Sequence, residues 1–535
     1  MNATVVPAST QRVSRLAPFL SGTQRFSRLW LVFVGACLLG GAVLRLTNLG
    51  KFGFWTDEYF HVFAAKSYLE TGKMFVPMVG EYRRARLVTY ITAGMFKLFG
   101  ESEWSARFPF AAVNVVFIGI MGLVTRRLFS EVVSGACVFA MSFVPLAINM
   151  SRECRFYTLH QLFYFSAAMA FFAGFENISG RVSGGGRRRS MDWRWLAASG
   201  PMAGLALHFQ SLTANLAVVV LCYLVAMAGF MGFRHGWLRT LMSKYVATLA
   251  IAAMAFVALY HLYPQFFQAK FREAVEIYDW QAAKKFDYNF YRFYLTDNFP
   301  ALTFLFPVGA YVAIRRYGKA GLFALCSSAP LFFLHAFVYA RKSERYIFYF
   351  FPFFLITSLI AIEPFLIWGW SNLRTALKGE PLRGKIVAAA FLLPGFLVFT
   401  YPWAINAVRT PFHSKNPDWK SLDDEFKRNL RSATVVTTNP REYIYYVGAY
   451  PTYYRTVELD SDYVYEPTLL KGDTDFRKAL HQRGDVYFVG AEWNFNNDAF
   501  MTEAMRGAVT YSMSPVDHAG DRRILAYHAD HGNFR

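Results

Sequence analysis

The run from Leu29 to Leu49, LWLVFVGACLLGGAVLRLTNL, and the segment that follows it, Phe54-Trp55-Thr56-Asp57-Glu58-Tyr59-Phe60-His61, decide how this chain is read. As a helix the run is long enough to cross the roughly 30 Å of a bilayer's hydrocarbon. A basic head with Arg12, Arg15, Arg25 and Arg28 precedes it, as it would a signal peptide. The run is too long for an h-region, however, and no small-residue cleavage site closes it, so an uncleaved first helix is expected. Immediately beyond it, two adjacent carboxylates stand among aromatic side chains.

The rest of the composition agrees with a membrane protein. Of 535 residues, 55% are hydrophobic, 18% aromatic and only 17% charged, against about 25% charged in soluble domains. Apolar runs recur from residue 29 to residue 405, which excludes a soluble enzyme on a single anchor, and this apolarity excludes disorder. The net charge of +20 raises the question of nucleic acid. The basic residues are spread among short loops rather than gathered in one patch, so no nucleic-acid partner is expected. Cys37, Cys137, Cys154, Cys222 and Cys326 lie in or beside apolar runs with no metal-ligand spacing and read as core thiols.

Ten further candidate spans follow, at about 107–124, 132–149, 157–175, 195–208, 212–232, 245–262, 300–314, 320–338, 346–367 and 386–405, for about eleven in all. With the N-terminus inside, the inner segments carry 21 Lys and Arg against four Asp and Glu, including Arg126-Arg127, Arg187-Arg188-Arg189 and Arg315-Arg316. That asymmetry sets the orientation N-in and C-out. The fold class expected is thus an α-helical polytopic membrane protein, residues 1–405, with a small extracytoplasmic α/β domain over 406–535. In that tail, short β-branched runs at 433–438 and 485–489 alternate with the helical segments 418–430 and 475–483.

The first outer loop, about 50–106, contains the segment Leu87 to Phe99, too short to span and read as an interfacial helix. Asp57 and Glu58 ahead of it are candidates for a general base; the alternative is that Asp57 caps a helix beginning at Glu58. Asp57 and His61, four residues apart, could share a divalent metal, but pairs of this kind are more often hydrogen-bonded, and no cofactor or required metal is expected.

Positive charge on the outer side is the stronger signal. Arg83, Arg84 and Arg86, then Arg152 and Arg155, then Lys270 and Arg272, then Arg341, Lys342 and Arg345 all lie at helix ends against the topological bias. As a set they point to an anionic ligand such as a membrane-embedded phosphate; singly, each can snorkel or pair locally, as with Glu153 and Glu344. His61, Tyr82, Tyr157, His261 and Tyr346 are candidates for contact with a sugar or an acceptor.

The Asp57-Glu58 pair after the first helix, the short apolar helix, and Gly100-Glu101-Ser102-Glu103-Trp104-Ser105-Ala106-Arg107-Phe108-Pro109 leading into the second span together resemble the GT-C glycosyltransferases. The chain looks most like the branch containing protein O-mannosyltransferases and the lipid A aminoarabinose transferase. Ser151-Arg152-Glu153-Cys154-Arg155-Phe156-Tyr157 is similar to an Arg-rich stretch of bacterial members, and Arg345-Tyr346 with Phe351-Pro352 to their late Arg-Tyr segment. The likeness covers about the first 360 residues. It implies inverting transfer of a sugar from a polyprenyl-phosphate donor to a lipid, glycan or protein acceptor, with Asp57 as base, at the extracytoplasmic face of the inner membrane. The aminoarabinose branch has a Glu-Lys pair in the first loop where this chain reads Glu81-Tyr82-Arg83-Arg84-Ala85-Arg86, a departure that bears on both sugar and acceptor.

The residues supply what such a displacement needs: one carboxylate to take the acceptor's proton and guanidinium groups to meet the charge growing on the leaving phosphate. Adjacent carboxylates on one helix turn poorly serve a retaining mechanism, which needs two with separate roles. The rival readings are a transporter, whose related halves and broken mid-membrane helices are not visible in the sequence, and a ligase or polymerase of lipid-linked oligosaccharides.

Overall fold

The computed structural model describes residues 27–178, 191–262, 264–265, 268, 289–339, 342–364, 419–422, 424–437, 440–449, 451, 453–454, 468–469, 486–491, 509–512 and 524–529. The expected span at 386–405 and the residues Lys270, Arg272 and Arg341 lie outside these described residues. Helices dominate up to residue 364: α1 (Arg28–Leu46), α2 (Tyr59–Thr71), α3 (Arg86–Phe99), α4 (Glu103–Leu128), α5 (Glu131–Phe143), α6 (Pro145–Ser151), α7 (Tyr157–Phe175), α8 (Trp193–Phe209), α9 (Asn215–His235), α10 (Lys244–Leu262), α11 (Phe290–Asn298), α12 (Pro300–Tyr317), α13 (Lys319–Cys326) and α14 (Phe351–Leu359).

Against about eleven expected spans, five helical stretches among the described residues are long and apolar enough to cross a membrane: Arg28–Leu46, Glu103–Leu128, Ser211–His235, Lys244–Leu262 and Lys319–Val338. They become seven if each bent pair counts as one span, α5 with α6 at 58° and α11 with α12 at 104°. The difference has a physical source. Helix α7 fills the expected span 157–175 but carries His160 and Gln161, both buried: His160 Nε2 lies 2.9 Å from the Thr213 hydroxyl, and Gln161 Nε2 donates to the Phe348 carbonyl at 2.6 Å. Polar groups that meet partners inside protein lower a helix's apolarity without opposing its burial. Helix α8 covers the expected span 195–208 with 17 residues, and the apolar stretch Phe351–Pro364 is likewise short.

The chain divides into two compact units. One comprises Met1–Ala42, Val113–Met150 and Tyr157–Ala407; the other comprises Val43–Ala112, Ser151–Phe156 and Val408–Arg535. The second unit thus holds residues 50–106 together with residues beyond 407.

In the first unit, buried Glu176 accepts hydrogen bonds from the hydroxyls of Tyr223 (2.9 Å) and Tyr245 (2.8 Å) and pairs with Lys319 at 2.5 Å and Lys244 at 3.5 Å. Arg126 pairs with Glu131 and Arg316 with Glu363. These cations are therefore tied into local ion pairs.

In the second unit, α2 and α3 pack together and are joined by a small hairpin, β1 (Phe75–Val76) antiparallel to β2 (Gly80–Glu81). Helix α3 buries Val88, Thr89, Thr92, Ala93 and Phe96, one face at helical spacing, and leaves Tyr90, Leu98 and Phe99 exposed. Beyond residue 418 come α15 (Asp424–Ser432), β3 (Thr434–Thr437), α16 (Pro440–Val447), β4 (Tyr453–Tyr454), β5 (Thr468–Leu469), β6 (Val486–Ala491), β7 (Val509–Ser512) and β8 (Ile524–Ala529). The strands form one sheet in the order β5-β4-β3-β6-β8-β7, parallel from β5 to β6 and antiparallel beyond. Helix α16 is the crossover that the parallel pair β3 and β4 requires. Trp419, Leu422, Leu430, Val435, Tyr443, Val447 and Val489 form its core.

Candidate active site

The second unit brings together Asp57, Glu58, His61, Tyr82, Arg84 and Arg155. Helix α2 starts at Tyr59, one residue later than expected, with Glu58 at the N-cap position and no cap bond from the Glu58 side chain. The Glu58 carboxylate instead turns back into the protein, 1% exposed. Its Oε1 accepts from Arg107 Nε at 2.9 Å and from the Cys154 backbone N–H at 2.7 Å; its Oε2 accepts from Arg107 Nη2 at 2.6 Å and from the Trp55 N–H at 2.7 Å. Arg107 spends its other donors on the carbonyls of Leu49 (3.1 Å), Phe52 (2.8 Å) and Gly53 (2.8 Å). A fork-to-fork pair with every lone pair and every N–H used is a structural clamp. In this arrangement Glu58 fixes the turn, and Asp57 is left at its surface.

Asp57 is 27% exposed at its side chain. Its Oδ2 lies 3.4 Å from Arg155 Nη2, and its backbone carbonyl accepts from Arg155 Nη1 at 2.7 Å. Arg155 and Arg84 each place a guanidinium 5.0 Å from the centroid of the buried Phe156 ring, so one aromatic side chain seats two cations beside one carboxylate. Arg84 sits on a turn whose next residue, Ala85, is buried and left-handed with φ 46°, a conformation that costs a non-glycine residue free energy.

His61 is fully buried, its Nδ1 3.1 Å from the Thr89 hydroxyl and its Nε2 3.5 Å from the Tyr82 hydroxyl. Burial, with Arg155 and Arg84 nearby, holds its pKa well below the ordinary imidazole value. One ring nitrogen thus meets α3 at Thr89 and the other meets Tyr82 in the segment between β2 and α3, so His61 braces α2 against both. Burial also raises the Tyr82 phenol, opposed by the same two arginines, and pushes the Cys154 thiol up to about 12. Tyr82 is a wall shared with a cavity of about 690 Å³ that Tyr68, Lys73, Phe75, Arg86 and Tyr90 also line, a size in the range of small-ligand sites.

The other basic residues expected at a phosphate make the following contacts. Arg83 pairs with Glu81 at 2.6 Å and Arg86 lies 3.9 Å from the same carboxylate, all three well exposed. Arg152 donates to the carbonyls of Leu44 (3.1 Å), Arg45 (2.8 Å), Thr47 (2.7 Å) and Asn48 (3.2 Å), closing the C-terminal end of α1. In the first unit, Lys342 does the same for the helix ending at Val338, donating to the carbonyls of His335, Ala336 and Tyr339. Arg345 lies over the Tyr346 ring at 5.4 Å, Tyr157 is buried at the start of α7, and His261 is exposed near the end of α10. Among the described residues no group of three or more His, Cys, Asp and Glu side chains is arranged to hold a metal ion.

In the sequence, Arg107, Phe156 and Thr56 stand inside the quoted segments with no role assigned to them. The signal for Arg107 was present, since a lone arginine at the entry of an apolar helix needs a buried acid. Nothing in the sequence identifies that acid as Glu58.

Residues 83–261 match the family model described as dolichyl-phosphate-mannose-protein mannosyltransferase. No curated protein matches the sequence. Among solved structures, the chain is similar to ArnT from Cupriavidus metallidurans bound to undecaprenyl phosphate, with a TM-score of 0.56 and 14% identity over 93% of this chain and 97% of that one. It is also similar to the archaeal oligosaccharyltransferase AglB from Archaeoglobus fulgidus in complex with an inhibitory peptide and a dolichol-phosphate, with a TM-score of 0.60 and 11% identity over 95% of this chain and 75% of that one. The chain therefore has the fold of these proteins, as the resemblance to the GT-C glycosyltransferases implies, and its residues 83–261 match the mannosyltransferase family model.

Proposed function

We propose that the protein is a glycosyltransferase that moves a sugar from a polyprenyl-phosphate donor to an acceptor hydroxyl at the extracytoplasmic face of the membrane, with inversion and with Asp57 as general base. The observation that carries this reading is the division of labour between neighbours: Glu58 is consumed by Arg107, while Asp57 stands partly exposed beside Arg155, with Arg84 across the same ring. One accessible carboxylate suits a single displacement, in which it takes the acceptor's proton as the glycosidic C–O bond to the phosphate breaks. Arg84 and Arg155 would meet the charge that grows on the leaving lipid phosphate. The Tyr82-walled cavity offers room for the group that carries the acceptor hydroxyl. The likeness to structures that hold undecaprenyl phosphate and a dolichol-phosphate supports a polyprenyl-phosphate ligand of the same chemical class here. The N-in count of inner Lys and Arg supports an extracytoplasmic site and an inner-membrane location, with the residues beyond 405 on that same face. No step is assigned to a metal.

Purified protein supplied with polyprenyl-phosphate hexose or pentose donors, with consumption and product followed by thin-layer chromatography, tests the reading. Asp57→Asn is expected to lower transfer by about 10²- to 10⁴-fold while donor binding persists, and the product's anomeric configuration is expected to be opposite to the donor's. Transfer near the wild-type rate in Asp57→Asn removes the base assignment. Solute uptake into sealed vesicles with no glycosylated product would favour the transporter instead.

A further inference from the structure

The turn that presents Asp57 is held from two sides, and only one of them belongs to the clamp already described. On the other side stands α16, nearly four hundred residues further along the chain. Its Glu442, 4% exposed, accepts a hydrogen bond from the Thr56 hydroxyl at 2.8 Å, one residue before Asp57. Its Tyr446 hydroxyl accepts from the Phe54 backbone N–H at 3.0 Å and donates to Glu103 Oε1 at 2.9 Å. Lys420 ties the same assembly from below in sequence, donating to the Gly50 carbonyl and to Glu103 Oε2, each at 3.0 Å.

Packing repeats what the hydrogen bonds say. Phe54 and Tyr59 both set ring edges against Tyr445, at 5.3 and 5.7 Å between centroids, and the Arg441 guanidinium lies 4.1 Å from the centroid of Phe60. At Gly53 a Cβ would come within 2.9 Å of the Tyr446 hydroxyl, so the absence of a side chain there is what lets the tyrosine reach the backbone. Residues 53, 54, 56, 59 and 60 are thus all in contact with one short helix, and Asp57 lies inside that span.

We propose that α16 is a positioning element of the active site, in which Glu442 through Thr56, and Tyr446 through Phe54, set the geometry of Asp57. This rests on the reading of Asp57 as base. Neither residue touches the reacting atoms. Their effect is on the placement of a carboxylate whose reaction needs near-attack geometry, where a misplacement of about 1 Å can cost about a hundredfold in rate.

The test measures transfer kinetics and amide hydrogen exchange on the full-length protein in detergent. Glu442→Ala and Tyr446→Phe are expected to lower kcat about tenfold or more with KM and donor binding unchanged. Glu442→Gln keeps an oxygen for the Thr56 hydroxyl and is expected to retain kcat near the wild-type value. Thr56→Val should reproduce Glu442→Ala, and the two combined should add little, because they remove one bond. Exchange at the amides of residues 54–58 should rise in Glu442→Ala and not in Glu442→Gln. Unchanged kcat in Glu442→Ala and Tyr446→Phe, with Asp57→Asn still inactive, overturns the positioning role and leaves the proposed function standing. If the wild-type protein transfers no sugar, the proposed function fails, and the exchange measurement alone decides whether α16 holds the turn; unaltered exchange in Glu442→Ala refutes it.

Discussion

Glu58 and Arg107 meet as a two-pronged ion pair, Nη2 to Oε2 at 2.6 Å and Nε to Oε1 at 2.9 Å, with side chains 1% and 7% exposed. The pair turns one of two adjacent carboxylates inward and leaves the other beside Arg155.

Removing one partner leaves a buried charge uncompensated. Glu58→Gln or Arg107→Ala is expected to destabilise the folded protein by about 3–5 kcal/mol, read as a lowered thermal midpoint in detergent. Arg107→Lys should not rescue, since an ammonium cannot supply the planar fork or reach three backbone carbonyls at once. A thermal midpoint unchanged in both single variants contradicts the clamp.

Arg152 closes four carbonyls at the end of α1. Its loss frees helix-end acceptors rather than a ligand contact. Arg152→Ala is expected to cost about 1–2 kcal/mol of stability and to leave affinity for a polyprenyl phosphate unchanged. A large drop in that affinity at intact stability would return Arg152 to the binding site.

Arg84 and Arg155 stand apart from Arg83 and Arg86 in the same measurement. Alanine at Arg84 or Arg155 is expected to weaken binding of polyprenyl phosphate about tenfold or more, the scale of one charge-assisted contact of about 1.5–3 kcal/mol. Alanine at Arg83 or Arg86, whose pairings with Glu81 are solvent-exposed, is expected to change stability by less than about 0.5 kcal/mol and binding little. Equal losses at all four positions would mean that the exposed pair also meets the ligand.

His61 gives the fold a pH dependence. Its folded pKa lies well below 6.5, so between those values the unfolded chain binds a proton that the folded chain does not. Stability contributed by neutral His61 is therefore complete above about pH 6.5 and is lost as the pH falls. Denaturation midpoints measured from pH 7.5 to 5 should decline in the wild type, and the decline should be shallower in His61→Gln. Identical slopes would remove His61 as the source.

Much of the fold is legible in residue patterns, because the bilayer imposes one rule on every apolar run. The helices at 28–46, 103–128, 244–262 and 319–338 fall where apolarity and length predict them, and the short apolar segment at 87–99 forms α3, whose buried face has the spacing of an amphipathic helix. The span count was less legible at α7, where His160 and Gln161 look costly in the sequence and are satisfied only by Thr213 and the Phe348 carbonyl.

That acid and base groups crowd the ends of apolar helices is readable along the chain, since Asp57-Glu58 and the arginine runs stand next to apolar segments. Which partner each of them meets is set by the folded chain. Glu58 finds Arg107 49 residues away, Arg152 finds the end of α1, and Thr56 finds Glu442 across 386 residues. Side chains that look equivalent in sequence are divided by burial and by the hydrogen-bonding partner each one meets, and those partners are set by packing among segments distant in the chain.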